Sequence, residues 1–320
     1  MIVTVSPNIA LDRVRVVRGF QPGKQSRALF EFLQPGGSGV HASSVIQALG
    51  GETIALGLLG GHAGKLWKGE ANRRNLSNEM VPFAGETRES FCLVDLDLGS
   101  VVESVVEGFR ATPGMKTTLL DRLQKYLPGA KLLILSGSLP EGLPVSTYAE
   151  MISLAKQHSV PVLADIHSEP LQEAIPCRPW LLKPNLYELH DLIGHPTRDL
   201  MERVIASETF CRETGINLAL SMSGEGLLLT TRKGQWLLTP PSLPMHLPEG
   251  SGQNVIGCGD ALVGALAYEY CLTGNILDAA KLGLAAAHFN LSTFGVPEID
   301  GGKVRDLVQY VQVQRLRESN

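Results

Sequence analysis

Short apolar runs alternate with stretches of helical period along most of this chain, and that alternation restricts it to few folds. The runs at residues 2–6, 53–59, 131–136, 161–165 and 180–183 suit short strands, and the 131–136 run is apolar at consecutive positions, as a strand covered on both faces requires. Between and after them, residues 39–49, 64–75 and 146–158 carry the period of amphipathic helices. A βαβα order of this kind predicts a mostly parallel sheet between two layers of helices. Residues 218–221 and 226–230 read as a hairpin-like pair. The chain has 320 residues, 44% of them hydrophobic, enough to bury a large core, and its 34 glycines with only 6% aromatics fit many tight turns over βα units.

Two regions break the rhythm. Residues 13–34 and 90–109 contain segments such as Val14-Arg15-Val16-Val17, Phe91-Cys92-Leu93-Val94-Asp95-Leu96 and Val101-Val102-Glu103-Ser104-Val105-Val106, which alternate with period two and have no helices between them. Half-buried antiparallel strands fit that pattern. The expected organisation is a main α/β domain of residues 1–12, 35–89 and 110–320, with residues 13–34 and 90–109 forming a discontinuous β lid. Its half-apolar faces also suit pairing with a second subunit.

Charge and cysteine usage narrow the setting. A net charge of −4 gives no general attraction to nucleic acid or to an anionic membrane, so a phosphate-bearing partner has to be held locally. The start, Met1-Ile2-Val3-Thr4-Val5, lacks a basic leader, and no apolar run approaches the roughly 20 residues that span a bilayer, so a cytoplasmic protein is expected. Five scattered cysteines without a CxxC pair suggest neither a disulfide framework nor a zinc site, and eight dispersed histidines without HExxH spacing suggest no protein-ligated transition metal.

The glycine turn Val255-Ile256-Gly257-Cys258-Gly259-Asp260 runs into the small, apolar stretch 261–267. Such a turn opening a helix puts free backbone N–H groups around an anion. An acid beside them repels that anion unless it is there to take a proton, which fits a catalytic base next to a phosphate in transfer. The alternative is a strand-to-helix turn in which Asp260 is only an N-terminal helix charge. Cys258, at the same helix start, is either a thiol that ionises easily or a buried one packing the turn.

Pro35-Gly36-Gly37-Ser38-Gly39-Val40-His41-Ala42 contains a literal GxGxxA, but the next strand ends Leu58-Leu59-Gly60-Gly61-His62 without the acid a dinucleotide ribose needs. These glycines instead let backbone approach a polyhydroxylated ligand. Asn8-Ile9-Ala10-Leu11-Asp12 ends the first strand and places Asp12 at the carboxyl edge of the sheet, as a sugar-hydroxyl acceptor or a turn acid. Arg88, in Gly85-Glu86-Thr87-Arg88, either forks onto a phosphate or is an ordinary surface arginine. Ser138, in Leu135-Ser136-Gly137-Ser138-Leu139-Pro140, either donates to a ligand or caps a turn. Lys183-Pro184-Asn185-Leu186-Tyr187-Glu188 follows a strand and starts a helix; Lys183 can face phosphates and Glu188 magnesium, or both can be plain helix-start residues.

In their order these motifs, with Ser221-Met222-Ser223-Gly224-Glu225-Gly226 and a strand ending in Asp165, resemble the ribokinase-like PfkB sugar kinases over practically the whole chain, from Ile2 to about Thr293. The likeness is strongest to the branch acting on sugar phosphates: 1-phosphofructokinase, tagatose-6-phosphate kinase and the minor 6-phosphofructokinase. It implies a ribokinase-like three-layer α/β/α fold with a mostly parallel central sheet and a small β-sheet lid. The implied reaction is ATP-dependent phosphorylation of a ketohexose phosphate to the bisphosphate, by a homodimer joined through the lid. In such an enzyme Asp260 would be the base, and the N–H groups of Gly257, Cys258, Gly259 and Asp260 an anion hole. Asp12, Gly36, Gly37 and His41 would line the sugar pocket, and Arg88 with Ser138 would hold the phosphate already on the substrate. Asn185 and Glu188 would hold magnesium, through water in the manner of that ion, and Lys183 would neutralise nucleotide phosphates. ATP would lie along Ser221, Ser223, Gly224 and Gly226 and the region before Gly257, with Asn290 near the adenine end.

The chain also departs from the family pattern. Ser38 and His41 stand where that branch commonly has lysine and asparagine, Lys24 sits one residue from the place of a substitute lysine, Ser223 replaces a glycine, and Asp165-Ile166-His167-Ser168 replaces D-x-S-G. Two other functions fit these changes: a PfkB-type kinase of an unphosphorylated sugar or nucleoside, and a catalytically weak sugar-phosphate sensor. A nicotinamide oxidoreductase is the remote third.

Overall fold

The computed structural model describes residues 1–242, 254–294 and 297–318. In chain order it builds β1 (Ile2–Ser6), β2 (Ala10–Val17), β3 (Phe30–Gly36), α1 (Ser38–Ala48), β4 (Thr53–Gly60), α2 (Gly61–Arg73), β5 (Asn78–Phe83), β6 (Arg88–Asp95) and β7 (Ser100–Ser104). It continues with α3 (Pro113–Tyr126), β8 (Leu132–Ser136), α4 (Thr147–Gln157), β9 (Val162–Asp165), α5 (Ser168–Ala174), β10 (Leu181–Leu182), α6 (Leu186–Ile193) and α7 (Leu200–Thr214). The last elements are β11 (Asn217–Ser221), β12 (Leu227–Thr231), β13 (Gly234–Thr239), α8 (Cys258–Thr273), α9 (Ile276–Asn290), α10 (Gly301–Leu307) and β14 (Gln312–Glu318).

Ten strands form the main sheet in the order β14-β13-β12-β11-β10-β9-β8-β1-β4-β5. From β5 to β11 every pair is parallel, and β12, β13 and β14 close one side antiparallel. The apolar runs are continuous because both faces are covered. Ile2, Leu132 and Ile134 pack with α1, α8 and α9, whereas their neighbours Val3, Val5, Leu133 and Leu135 pack with α3 and α4 on the other side. This is a ribokinase-like α/β fold with a small separate sheet. No described helix is long and apolar enough to cross a membrane.

The small sheet has the order β3-β2-β6-β7. Its inner residues Val14, Val16, Cys92, Val94 and Leu96 pack together with Ile256 and Phe294, which flank the start and follow the end of the α8–α9 pair. The strands were expected to be antiparallel. Two pairs are, but β2 and β6 run parallel, because both rise in the same direction from the same edge of the main domain. A second correction concerns Asp12. Strand β1 ends at Ser6, so Asp12 is the third residue of β2 and belongs to the small sheet, opposite Gln34 of β3.

Other differences have local causes. Helix α2 starts at Gly61 rather than residue 64, because the carboxylate of Glu86 accepts from the amides of His62 and Ala63 and so caps the first turn. Helix α7 escaped the periodicity because its inward positions are Val204, Ser207, Phe210 and Cys211, only half of them large and apolar. Strand β10 shrinks to two residues.

Candidate active site

Three glycine-dependent approaches build the site. Gly37, at φ 112, caps α1 in a conformation that disfavours a side chain and turns the chain from β3 into the helix. Helix α1 then crosses α8 at short range, since a Cβ on Gly264 would stand 2.6 Å from the carbonyl oxygen of Ala42. That contact explains the small residues after Asp260 and brings the first turns of the two helices together. Gly257, in the left-handed region at φ 76, opens α8 without a side-chain cap, but the Cys258 amide expected in the anion hole donates at long range, 3.4 Å, to the Val255 carbonyl, so Gly259 and Asp260 present the amides best placed for an anion.

Where the two helix starts meet, His41 bridges two acids. Its Nδ1 is 2.7 Å from Asp260 Oδ2 and its Nε2 is 2.8 Å from Asp12 Oδ2. All three side chains are largely buried. Burial opposes charge on the ring, but the hydrogen bonds and charges of Asp12 and Asp260 outweigh it and raise the imidazole from 6.5 to about 10. The expected sugar-pocket residues Asp12, Gly36, Gly37 and His41 thus converge. Gly36 leaves room for the acid, as a Cβ there would meet the Asp12 carboxylate at 2.3–2.4 Å.

Arg88 and Ser138 meet at one end of this pocket through Asn8, the first residue of the segment that leads to Asp12. Asn8 Nδ2 donates to Ser138 Oγ at 3.0 Å and to the Glu107 carbonyl at 2.8 Å, while Arg88 donates to the carbonyls of Asn8 and Val106 at 3.0 Å each. Burial lowers the Arg88 guanidinium against the pull of Asp12 and Glu103. Asn8 Oδ1, Arg88 Nε and Gln34 Oε1 are buried without a hydrogen-bond partner in the protein. A buried polar atom left unpaired costs about 1–3 kcal/mol, so the two side-chain carbonyl oxygens suit hydroxyl donors and the Arg88 Nε suits an anion. Nothing in the sequence marked Gln34 beyond its place beside the glycine run.

On the other side of Asp260, Lys183 is buried with its Nζ 3.1 Å from Asp165 Oδ1 and 3.6 Å from where a Cβ on Gly259 would stand. Burial opposes its charge, but Asp165, Glu188 and Asp260 together raise its pKa, so a fixed ammonium sits under the start of α8. Asp165 itself is pushed up to about 6, burial outweighing the lysine. The sequence had marked Asp165 only as a strand end; a lone acid finishing a buried strand was the available signal.

Asn185 and Glu188 form a reciprocal capping box on α6: Asn185 Oδ1 accepts from the Glu188 amide at 3.0 Å and Glu188 Oε2 from the Asn185 amide at 2.8 Å. A carboxylate accepts at about four positions, so capping is compatible with a hydrated ion. The described residues hold no cluster of three or more His, Cys, Asp or Glu side chains able to cage a metal. Magnesium fits such a site because it keeps several waters and takes one or two carboxylates plus substrate phosphates. Ser221 lies beside Asn185, its amide donating to the Pro184 carbonyl at 2.9 Å. Ser223 takes φ 53 in the following turn, and a Cβ on Gly224 would have no neighbour within 4 Å, leaving that backbone open to a ligand. Gly226, at φ 102, closes the turn against the Leu238 carbonyl.

Asn290 and Cys258 meet at the glycine turn. Asn290 is fully buried and donates to the Ile256 carbonyl at 2.7 Å and to Cys258 Sγ at 3.3 Å, so it braces the turn from behind. Cys258 is not an easily ionised thiol. Burial pushes it up to about 11, against the hydrogen bond from Asn290 and with help from the Asp260 charge. Of the stretch before Gly257 expected along the nucleotide, residues 243–253 lie outside the described residues.

A sequence model described as pfkB family carbohydrate kinase matches residues 8–299. The 1-phosphofructokinase of Bacillus subtilis (strain 168) is 27% identical over 318 residues, covering 99% of this chain and 100% of the relative. The ATP-dependent 6-phosphofructokinase isozyme 2 of Mycobacterium tuberculosis (strain ATCC 25618 / H37Rv) is 28% identical over 295 residues, 92% of this chain and 85% of its own. The crystal structure of phosphofructokinase-2 from Escherichia coli in complex with potassium matches with a TM-score of 0.88 at 22% identity, over 97% of this chain and 98% of that one.

Proposed function

The chain belongs to the pfkB family of carbohydrate kinases, and we propose that it transfers a phosphoryl group from ATP to a ketohexose phosphate, giving the bisphosphate. Fructose 1-phosphate, fructose 6-phosphate and tagatose 6-phosphate are the candidate substrates. That it is an ATP-dependent carbohydrate kinase follows from the family and from relatives named as sugar-phosphate kinases. The observation that carries the substrate class is the buried guanidinium of Arg88, whose Nε donor has no partner in the protein and which lies within the charge field of Asp12.

In this reading Asp12 accepts hydrogen bonds from sugar hydroxyls, while Arg88 and Ser138 hold the phosphate the sugar brings. Asp260 takes the proton as the O–H bond of the attacking hydroxyl breaks. A new O–P bond forms, and the electron pair of the broken P–O bond leaves with ADP. The amides of Gly257, Cys258, Gly259 and Asp260 and the ammonium of Lys183 offset charge on the group in flight. Ser221, Ser223, Gly224 and Gly226 supply the nucleotide edge. Magnesium, when bound, screens the nucleotide phosphates, and Asn185 and Glu188 are the residues to hold it through water. The small sheet acts as a lid that excludes water. Its exposed Phe30, Leu98, Val102, Val105 and Val106 suit a homodimer, and the use of ATP suits the cytoplasm.

The test is a screen of ATP with the three ketohexose phosphates, following ADP release. Turnover with at least one is expected, and Asp260→Asn should lower kcat by roughly 10²–10⁴-fold. Saturable turnover of free fructose, ribose or adenosine with none of the phosphates would overturn the substrate class.

A further inference from the structure

His41 is the group this mechanism leaves unexplained. A pocket wall needs no ring tied at both ends, yet this one touches the residue given the role of base through one nitrogen and the residue given the sugar through the other, at 2.7 and 2.8 Å. Carboxylates only accept, and a neutral imidazole has a single N–H. With both acids ionised, the two contacts require a ring that donates from both nitrogens. Such charge-assisted bonds are the strong, short kind, and these distances lie in their range. Each bond also fixes a carboxylate in rotation. With Oδ2 held on both acids, Oδ1 of Asp260 is the oxygen left for the hydroxyl proton and Oδ1 of Asp12 the one left for the sugar.

We propose that His41 is a positioning residue: a doubly donating imidazolium that ties Asp260 to Asp12, so that the base is oriented by the same ring that fixes the sugar anchor. This rests on the kinase reading for the roles of the two acids. The geometry of the bridge does not depend on it.

The groups around the ring agree. Asp12 reaches it from β2 and Asp260 from α8, and their pull outweighs the burial that opposes charge. Beyond Asp12 stands Arg88 from β6; beyond Asp260 stand Lys183 and Asp165 at the ends of β10 and β9.

Two measurements test the proposal. The first is ¹⁵N spectra of the histidine rings in the full-length, ligand-free protein, with His41 assigned by its loss in His41→Gln. Both ring nitrogens should be protonated at pH 8, and in Asp260→Asn the ring should lose its second proton at lower pH than in the wild type. A neutral His41 ring at pH 8 overturns the proposal whatever the protein phosphorylates. The second is kinetic. His41→Gln should lower kcat about tenfold or more with KM for ATP unchanged, and its effect should not add to that of Asp12→Asn, as residues acting through one network do not. A folded His41→Gln enzyme with wild-type kcat refutes the positioning role. If the wild type turns over no sugar phosphate at all, the kinase reading fails while the ring spectra still decide the bridge.

Discussion

Gly36→Ala puts direct steric pressure on Asp12 with little else disturbed. Gly36 is not in the left-handed region, so alanine is conformationally allowed there. Its Cβ would stand 2.3 Å from Asp12 Oδ1 and 2.4 Å from Cγ and Oδ2, so the whole carboxylate has to retreat by about 1 Å to regain ordinary contact. Retreat away from His41 stretches the 2.8 Å bond at Nε2 to about 3.8 Å, past hydrogen-bonding range. Losing a hydrogen bond to a charged group costs about 1.5–3 kcal/mol, or roughly 10- to 100-fold in kcat/KM for the sugar phosphate. KM for ATP should hold, because the nucleotide edge lies on the far side of Asp260. The assay is ADP release with each substrate varied in turn, alongside thermal unfolding to confirm a folded enzyme. The same substitution made on Asp12→Ala, where no carboxylate remains to be pushed, should add little further loss. A folded Gly36→Ala enzyme whose kcat/KM for the sugar stays within about threefold of wild type would refute the argument.

Three other outcomes are expected. Lys183→Met leaves Asp165 buried without its cation and should destabilise the fold by on the order of 3–5 kcal/mol, with Asp165→Asn restoring part of it; an unchanged denaturation midpoint would contradict the buried pair. Cys258 should react slowly with iodoacetamide at neutral pH and faster as pH climbs toward about 11, since the thiolate is the nucleophile; rapid labelling at pH 7 would show the burial argument to be wrong. His41 is raised in the folded protein from 6.5 to about 10, so its contribution to stability is complete below about pH 6.5 and disappears progressively as pH rises to about 10. The margin of wild type over His41→Gln in urea midpoint should shrink across that window, and a margin that grows with pH would reverse the sign of the reasoning.

Much of the site was legible because its chemistry is local in sequence. Gly257 to Asp260 are four consecutive positions on one turn, and Asn185 with Glu188 carry the spacing of a capping box. Lys183 and Asp165 were each visible at a strand end, but their pairing was not, because it joins different strands across the sheet edge. Asn8 and Gln34 were passed over for a related reason. Their burial depends on partners distant in sequence: Asn8, in the bend between β1 and β2, meets Glu107 and Ser138, and Gln34 of β3 lies opposite Asp12 of β2.

The sequence alone determined the layered fold through its periodicity, and the reaction class through the order of motifs that resembles a known kinase family. Apolar periodicity shows which segments are covered on both faces, and backbone-driven features such as glycine turns and helix starts need only a few adjacent residues. It could not decide how the departures at Ser38 and His41 are absorbed. Residue 41 is 29 positions from Asp12 and 219 from Asp260, and only the close crossing of α1 and α8 at Gly264, with β2 leaving the main sheet beside them, puts all three side chains in contact. The charge of His41 is a product of that contact. In an extended chain the ring titrates like any other; between two buried carboxylates it holds a second proton, and that is a property of the tertiary structure.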